Sequence, residues 1–128
     1  MVKSEHNYIY GFEKLEVWKN SITLAKLVYN ITANFPKNET YGLTSQIRRA
    51  IVSVSSNIAE GSSKNSYKDQ ARFSEMAYGS LLEVLNQLII SYELEYINEE
   101  CYVECRNQIE VLSRQLNAYK NSQITRIM

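Results

Sequence analysis

The most concentrated basic stretch of the chain lies between residues 42 and 73. It contains two acidic residues and five cations, Arg48, Arg49, Lys64, Lys68 and Arg72. The last three cations are four residues apart, so on a helix they line one face. Such a row can dock the phosphates of a nucleic-acid backbone. An ordinary solvated turn is the alternative interpretation.

The acidic residues are concentrated farther along the chain. Residues 74–100 carry six glutamates and neither lysine nor arginine. Over all 128 residues, 14 basic and 14 acidic side chains cancel. This balance excludes a uniformly basic nucleic-acid coat protein, but it conceals a dipolar molecule with a basic and an acidic region.

A second pattern is polar and lies on one predicted helix. Five polar side chains recur at steps of three and four residues, Gln46, Arg49, Ser53, Asn57 and Glu60. At ~100° per residue they form one stripe beside the apolar face, and their mixed chemistry favours mutual hydrogen bonds. The next helix supplies Ser80, Glu83 and Gln87 as partners, and Gly79 beside them would permit a close approach. We hypothesise that Arg49 pairs with Glu83, within the chain or across a subunit boundary.

Catalytic and metal-binding chemistry has little support in the sequence. His6 is the single histidine, which excludes histidine-rich metal sites and proton relays. The four glycines are too far apart to form a phosphate-binding loop. Cys101 and Cys105 lie one helical turn apart, and we interpret them as core thiols rather than as half of a metal site. We therefore expect no enzyme activity, metal, cofactor or small-molecule substrate.

Four amphipathic segments must position these side chains. Apolar residues recur at steps of three and four over residues 13–35, 42–61, 66–96 and 98–121. Pro36 and Gly61 are the expected stops of the first two segments, and Ser66 and Asn98 are the expected N-caps of the last two. Short connections predict a single all-α domain over residues 1–128, an antiparallel up-down-up-down four-helix bundle. Residues 1–11 and 122–128 are predicted to be flexible ends.

Neither a signal peptide nor a membrane-spanning segment is indicated. The first seven residues lack an apolar stretch, and the longest apolar run, residues 81–90, is interrupted by three polar side chains. Two free thiols suit a reducing compartment. We expect a cytoplasmic protein without a membrane partner.

Several stretches resemble, in the right order, the signature of a known family. Residues 41–50 read YGLTSQIRRA and residues 57–61 read NIAEG, with Ser53 between them. The opening FEKLEVW at 12–18, the pair Phe35-Pro36 with Glu39, and AYGSLLE at 77–83 also fit. Over about residues 12–97 the chain resembles the four-helix-bundle family encoded by intervening sequences of bacterial large-subunit ribosomal RNA genes.

The resemblance implies an assembly and a set of partners. Members form homopentamers, and they are often labelled ribosomal proteins after the location of their genes. A related branch, the accessory variability determinant of diversity-generating retroelements, binds nucleic acid and a reverse transcriptase. For this chain the resemblance implies a homopentamer whose partner is RNA, DNA or a nucleic-acid enzyme. The matched polar residues then either hold the bundle and its neighbours in register or line a ligand site, Gln46, Arg49, Asn57, Glu60 and Glu83.

Two functional hypotheses remain open. The first is a non-enzymatic, homo-oligomeric accessory protein of an rRNA intervening sequence or mobile element, which docks nucleic acid through the five cations named above. The second is a structural or protein-interaction scaffold that binds no nucleic acid. The zero net charge and the acidic third helix favour the second hypothesis, and the ten tyrosines would then serve subunit contacts.

Overall fold

The computed structural model describes residues 7–127, and every regular element in that range is helical. Four α-helices follow one another, α1 (Glu16–Thr32), α2 (Leu43–Ser62), α3 (Tyr67–Glu93) and α4 (Glu99–Ile127). A 3-10 turn (Gly11–Lys14) precedes α1, and a second one (Lys37–Glu39) precedes α2. The all-α, four-helix fold predicted from the apolar periodicity is confirmed.

Each helix packs against two neighbours, α1 against α2, α2 against α3, α3 against α4, and α4 back against α1. The direction of α2 and α3 follows from their contacts. Gly61 lies against Phe73, whereas Ser53, earlier on α2, bonds Ser80, later on α3. The two helices are therefore antiparallel, as short connections require.

The core draws apolar side chains from all four helices. The largest of those that are almost completely buried are Leu24, Val28, Ile47, Ile51, Val54, Ile58, Leu81, Val84, Leu88, Leu112 and Leu116. Burying each such side chain stabilises the fold by about 1.5–3 kcal/mol. On α3 one buried row contains Ala71, Ser74, Leu81 and Leu88, and further buried side chains lie beside it, Phe73, Ala77, Val84, Gln87 and Ser91.

The predicted N-caps of α3 and α4 are confirmed. The Ser66 hydroxyl oxygen accepts a hydrogen bond from the N–H of Asp69 at 3.1 Å. Oδ1 of Asn98 accepts one from the N–H of Cys101 at 2.8 Å. Each cap satisfies a backbone donor that the helix leaves free.

The helix ends differ from the predicted ones. α1 ends at Thr32 rather than residue 35, because the residues before Pro36 form a turn in which the Phe35 N–H bonds the Thr32 carbonyl at 3.1 Å. α3 ends at Glu93 rather than residue 96, because Glu95 takes a left-handed conformation with φ 63°.

The predicted end of the fourth helix at residue 121 is wrong, because α4 continues to Ile127. Buried Gln123 holds this last stretch, since its Oε1 accepts a 2.7 Å hydrogen bond from the Ser74 hydroxyl of α3. The other predicted flexible end falls mostly on residues 1–6. These residues, which include the single histidine His6, lie outside the described part of the chain.

Two glycines have roles different from those predicted. Gly61 is not a left-handed helix stop; it lies inside α2, and a Cβ there would sit 2.6 Å from the Cβ of Phe73. Its small size therefore lets α2 and α3 approach each other. Gly79 does not provide the close approach expected within the chain, because a Cβ there would meet nothing within 4 Å.

None of the helices within residues 7–127 is long and apolar enough to span a membrane.

Candidate nucleic-acid interface

Three of the predicted cations gather where α2 ends and α3 begins. Lys64 Nζ and the Arg72 guanidinium carbon each lie 4.9 Å from the centre of the Phe73 ring. The Phe73 ring is buried, and both cations lie over it in cation–π contact. Lys68, also exposed, lies one turn before Arg72. The structure thus brings Lys64, Lys68 and Arg72 together at one end of the bundle.

The acidic residues at this end pair only weakly with the cations. Lys64 Nζ lies 3.8 Å from the Glu60 carboxylate, and Arg72 Nε lies 3.8 Å from that of Asp69. The Arg72 pair is solvent-exposed and the Lys64 pair is partly so, and such surface pairs contribute about 0–1 kcal/mol. Incoming phosphates can therefore displace either carboxylate at little cost. In the described part of the chain, the Lys68 ammonium makes no ion pair.

A fourth cation at this end was not predicted. The guanidinium carbon of Arg126, in the last turn of α4, lies 5.3 Å from the centre of the Tyr67 ring, at the start of α3. The apolar repeat of α4 stops at Tyr119, because the next inward position is the polar Gln123. The predicted helix therefore ended at residue 121, and Arg126 fell outside it. We call Lys64, Lys68, Arg72 and Arg126 the basic end.

Arg48 is not part of the basic end. Its Nε donates a 2.8 Å hydrogen bond to Thr32 Oγ1, and its Nη2 donates one of 3.2 Å to the Tyr29 carbonyl. The guanidinium also lies 4.5 Å from the centre of the Tyr29 ring. Arg48 therefore donates hydrogen bonds to acceptors at the C-terminal end of α1. At ~1.5 Å per helical residue, its position on α2 is about 24 Å from Lys64.

Arg49 lies on the outward face of α2, away from the basic end, and is exposed. The hypothesised pair with Glu83 does not form among residues 7–127 of a single chain. Instead, Glu83 accepts a 3.4 Å hydrogen bond from Nε2 of Gln87. Only the version of the pair that crosses a subunit boundary stays a prediction.

Part of the predicted polar stripe forms a network between α2 and α3. The Ser53 and Ser80 hydroxyls share a 2.9 Å hydrogen bond. Nδ2 of Asn57 donates to the Ser53 carbonyl at 2.9 Å and to its hydroxyl at 3.1 Å. The stripe is not continuous, because Gln46 is exposed and Glu60 turns to Lys64.

Gln87 was predicted as a partner of this stripe, and it is almost completely buried. Its Oε1 has no hydrogen-bond partner in the described chain. An unpaired buried polar atom costs about 1–3 kcal/mol, so this amide oxygen lowers the stability of the single chain.

An aromatic segment missed by the sequence reasoning lies beside the basic end. Tyr8, Tyr10, Phe12 and Trp18 form a chain of ring contacts with centroids 4.9, 6.3 and 5.2 Å apart. The sequence contains a signal for this segment, because the aromatic residues Tyr8, Tyr10 and Phe12 occupy alternate positions. The segment borders a groove of about 400 Å³ lined by Tyr10, Gly11, Phe12, Leu15, Ala59, Ser62, Ser63 and Tyr119. Burial raises the pKa of Tyr119 in this groove.

The cysteines are placed as predicted, on the inner side of α4. Cys105 is fully buried, Cys101 is half-buried, and both are free thiols. Burial, helped by the neighbouring Cys101 and Glu104, raises the pKa of Cys105 to about 12. Within residues 7–127, no three His, Cys, Asp or Glu side chains lie close enough together to hold a metal ion.

Comparisons with known proteins agree with this architecture. The chain is similar in fold to the crystal structure of a protein of unknown function from the S23 ribosomal protein family of Bacteroides thetaiotaomicron VPI-5482, with a TM-score of 0.73 and 22% sequence identity. The alignment covers 81% of this chain and 97% of that one. No curated protein matches this sequence. The model of the 23S rRNA-intervening sequence protein family matches residues 13–118, which is most of the four-helix bundle. This chain therefore belongs to the 23S rRNA-intervening sequence protein family.

Proposed function

We propose that this protein is a non-enzymatic, homo-oligomeric accessory protein of an rRNA intervening sequence or mobile element, and that it binds nucleic acid through its basic end. The observation that carries this proposal is the convergence of Lys64, Lys68, Arg72 and Arg126, from the α2–α3 connection, α3 and α4, at one end of the bundle. Charges brought together from separate elements form a larger phosphate-binding surface than the sequence cluster alone.

The opposite end of the bundle supports an oriented encounter with nucleic acid. Where α3 ends and α4 begins, five exposed glutamates crowd together, Glu93, Glu95, Glu99, Glu100 and Glu104. These carboxylates repel a polyanion, whereas the basic end attracts it. A chain with no net charge can therefore bind nucleic acid, provided that its basic end faces the ligand and its glutamate-rich end faces away.

The interior supports a non-enzymatic role. Two pairs of inward-facing polar side chains bond each other across helices, Ser53 with Ser80 and Ser74 with Gln123. Groups used in this way hold helices in register. The two free thiols are consistent with a protein that is located in the reducing cytoplasm.

Self-association is supported by the outward faces of α2 and α3. Apolar side chains on these faces are each 39–45% exposed, Val52, Met76, Leu82 and Ile90. Gly79 lies open among them and would let another helix come close. We propose that this face contacts a second copy, where Arg49 of one subunit pairs with Glu83 of the next. The homopentamer is the assembly that the family resemblance implies.

A salt titration tests the nucleic-acid proposal. Fluorescence anisotropy with labelled oligonucleotides should show affinity falling about tenfold or more between 50 and 200 mM salt, since counterion release accompanies each phosphate contact. The double variant Lys68→Gln/Arg126→Gln should bind more weakly and lower the steepness of log affinity against log salt, by about 0.9 per lost contact on a duplex and about 0.7 on a single strand.

The control removes two cations from elsewhere on the surface. Lys26 lies on α1 and Lys37 in the connection before α2, and both are exposed. Lys26→Gln/Lys37→Gln changes the net charge equally, so its affinity should stay close to that of the wild type. An equal loss in both double variants would overturn the assignment to the basic end.

The protein-interaction scaffold is the second candidate, and the apolar α2/α3 face favours it. Light-scattering mass on a sizing column, with absorbance at 260 and 280 nm, separates the candidates. A defined oligomer that binds no oligonucleotide even at 50 mM salt would favour the scaffold. A monomer at micromolar concentration would contradict self-association in both.

A further inference from the structure

Two tyrosine rings beside the basic end are unusually open to solvent. Tyr8 is 76% exposed and Tyr10 is 60% exposed, although aromatic rings gain more than most side chains from burial. They contact each other edge to face, with ring centroids 4.9 Å apart. Tyr10 is also anchored, because its ring stacks on Phe12 and its backbone N–H donates a 2.8 Å hydrogen bond to the Glu13 carboxylate. The two rings are therefore accessible to a ligand, and their position is fixed by the contacts of Tyr10 with Phe12 and Glu13.

The rings and the cations occupy the same end of the molecule. The groove that Tyr10 lines also contains Ser62 and Ser63, the two residues that precede Lys64. Across the end of the bundle, Tyr67 is 41% exposed and Arg126 lies over its ring. This end of the molecule therefore carries both exposed aromatic rings and positive charges.

A surface with both rings and cations distinguishes single-stranded from double-stranded nucleic acid. In a duplex the base faces are hidden in the stack, so only the phosphates can meet such a surface. In a single strand the bases can leave the stack and lie against aromatic rings while the cations follow the backbone. Such stacking tolerates any base, because every base has a π-face.

We propose that the ligand of the basic end is single-stranded RNA or DNA, whose bases stack on Tyr8 and Tyr10 and whose phosphates meet Lys64, Lys68 and Arg126. This inference rests on the proposed nucleic-acid function and names its substrate class. Tyr67 contributes a further ring on the α3 side.

The test compares one oligonucleotide in two states. A labelled 20-nucleotide mixed-sequence strand and the same strand annealed to its complement are titrated with the full-length protein at 50 mM salt. We expect the single strand to bind at least tenfold more tightly than the duplex. We also expect the RNA and DNA versions of the strand to behave alike, because stacking and charge do not require the 2′-hydroxyl.

Ring removal is tested with a matched control. Tyr8→Leu/Tyr10→Leu keeps apolar bulk and charge but removes the flat rings, and it should weaken single-strand binding about tenfold or more without changing duplex binding. The control, Tyr41→Leu, removes a 96% exposed tyrosine in the connection before α2, at the opposite end. It should leave both affinities unchanged. Circular dichroism checks that all variants fold.

The outcomes separate this inference from the proposed function. If wild-type protein binds both forms with strong salt dependence and the tyrosine variant binds like the wild type, the basic end binds nucleic acid but stacking is excluded. A preference for the duplex would also overturn the inference and leave the proposed function in place. Failure to bind either form at 50 mM salt would overturn both.

Discussion

The Tyr96 hydroxyl donates a 2.8 Å hydrogen bond to Oε2 of Glu39, which joins the connection between α3 and α4 to the one between α1 and α2. The other carboxylate oxygen, Oε1, accepts the N–H of Leu43 at 3.2 Å in the first turn of α2. The Tyr96 ring also packs on Phe35, with centroids 5.4 Å apart. One carboxylate thus caps a helix and joins two connections at the acidic end of the bundle, which carries Glu93, Glu95, Glu99, Glu100 and Glu104.

Tyr96→Phe should lower the thermal unfolding midpoint, because it removes the hydroxyl while the ring still packs on Phe35. The hydrogen bond to Glu39, reinforced by burial and the carboxylate charge, raises the pKa of Tyr96. The folded state therefore favours the neutral phenol, and this contribution to stability is present below pH ~10 and lost as pH rises through the raised pKa. Thermal melts at pH 7 and above pH 10 should show the advantage of the wild type over Tyr96→Phe shrinking. Tyr41→Phe, at a 96% exposed position, is the control and should melt like the wild type.

The two glycines of α2 and α3 should respond to alanine in opposite ways. Gly61→Ala places a Cβ 2.6 Å from that of Phe73, so the helices must separate, at a cost of about 1–3 kcal/mol. Gly79→Ala fills open space in an exposed helix and should stabilise the chain by about 0.5–1 kcal/mol. Urea unfolding measures both. If Gly79 lies at a contact between copies, Gly79→Ala should also reduce the mass of the oligomer, which Gly61→Ala need not do.

Glu95→Gly should stabilise the protein. Glu95 has φ 63°, and the Tyr96 N–H to Ser91 carbonyl bond (2.9 Å) and the Glu95 N–H to Tyr92 carbonyl bond (3.0 Å) form a Schellman motif around it. Glycine adopts this conformation without the steric cost of a Cβ and also removes a negative charge from a helix C-terminus. We expect a gain of about 1 kcal/mol in chemical unfolding. Glu75→Gly, exposed within α3, is the control and should instead cost about 1 kcal/mol. A loss at both positions would argue against the left-handed conformation.

The two thiols should differ in reactivity. At pH 8, a thiol-specific reagent should label half-buried Cys101 in the folded protein and leave fully buried Cys105 unmodified until the chain unfolds. The pKa of Cys105 is raised from 9.0 to about 12, so the unfolded state releases its proton first as pH rises. Stability should consequently fall between pH 9 and 12, and Cys105→Ala should remove that part of the pH dependence. Rapid labelling of both thiols at pH 8 would contradict the buried position.

Local features of the fold were predictable from the sequence, and features that depend on a partner element were not. Ser66 and Asn98 cap their own helices within three residues, so their role can be read along the chain. Gly61 looked like a helix stop because the residue against which it packs, Phe73, lies on another helix. Arg48 looked like part of a basic cluster, but its partners, Tyr29 and Thr32, are at the end of α1.

The candidate site shows the same division. Lys64, Lys68 and Arg72 are close in sequence and meet in space, whereas Arg126 reaches this end because α4 continues past residue 121, where Gln123 bonds Ser74 of α3. No periodic signal announces that contact, since both residues are polar. Ser53 and Asn57 bond polar groups of α2 and α3, whereas Gln46 and Arg49, on the same predicted stripe, are exposed to solvent.

The separation of a basic and an acidic end has a consequence for any ring built from this chain. Cyclic symmetry repeats each feature at the same height along the axis, so every subunit places its basic end on the same rim. A few cations per subunit then become a multivalent rim, on which the first phosphate contacts raise the effective concentration of the remaining ones. In such a ring, avidity would favour strands long enough to reach several subunits at once, although each chain is formally neutral.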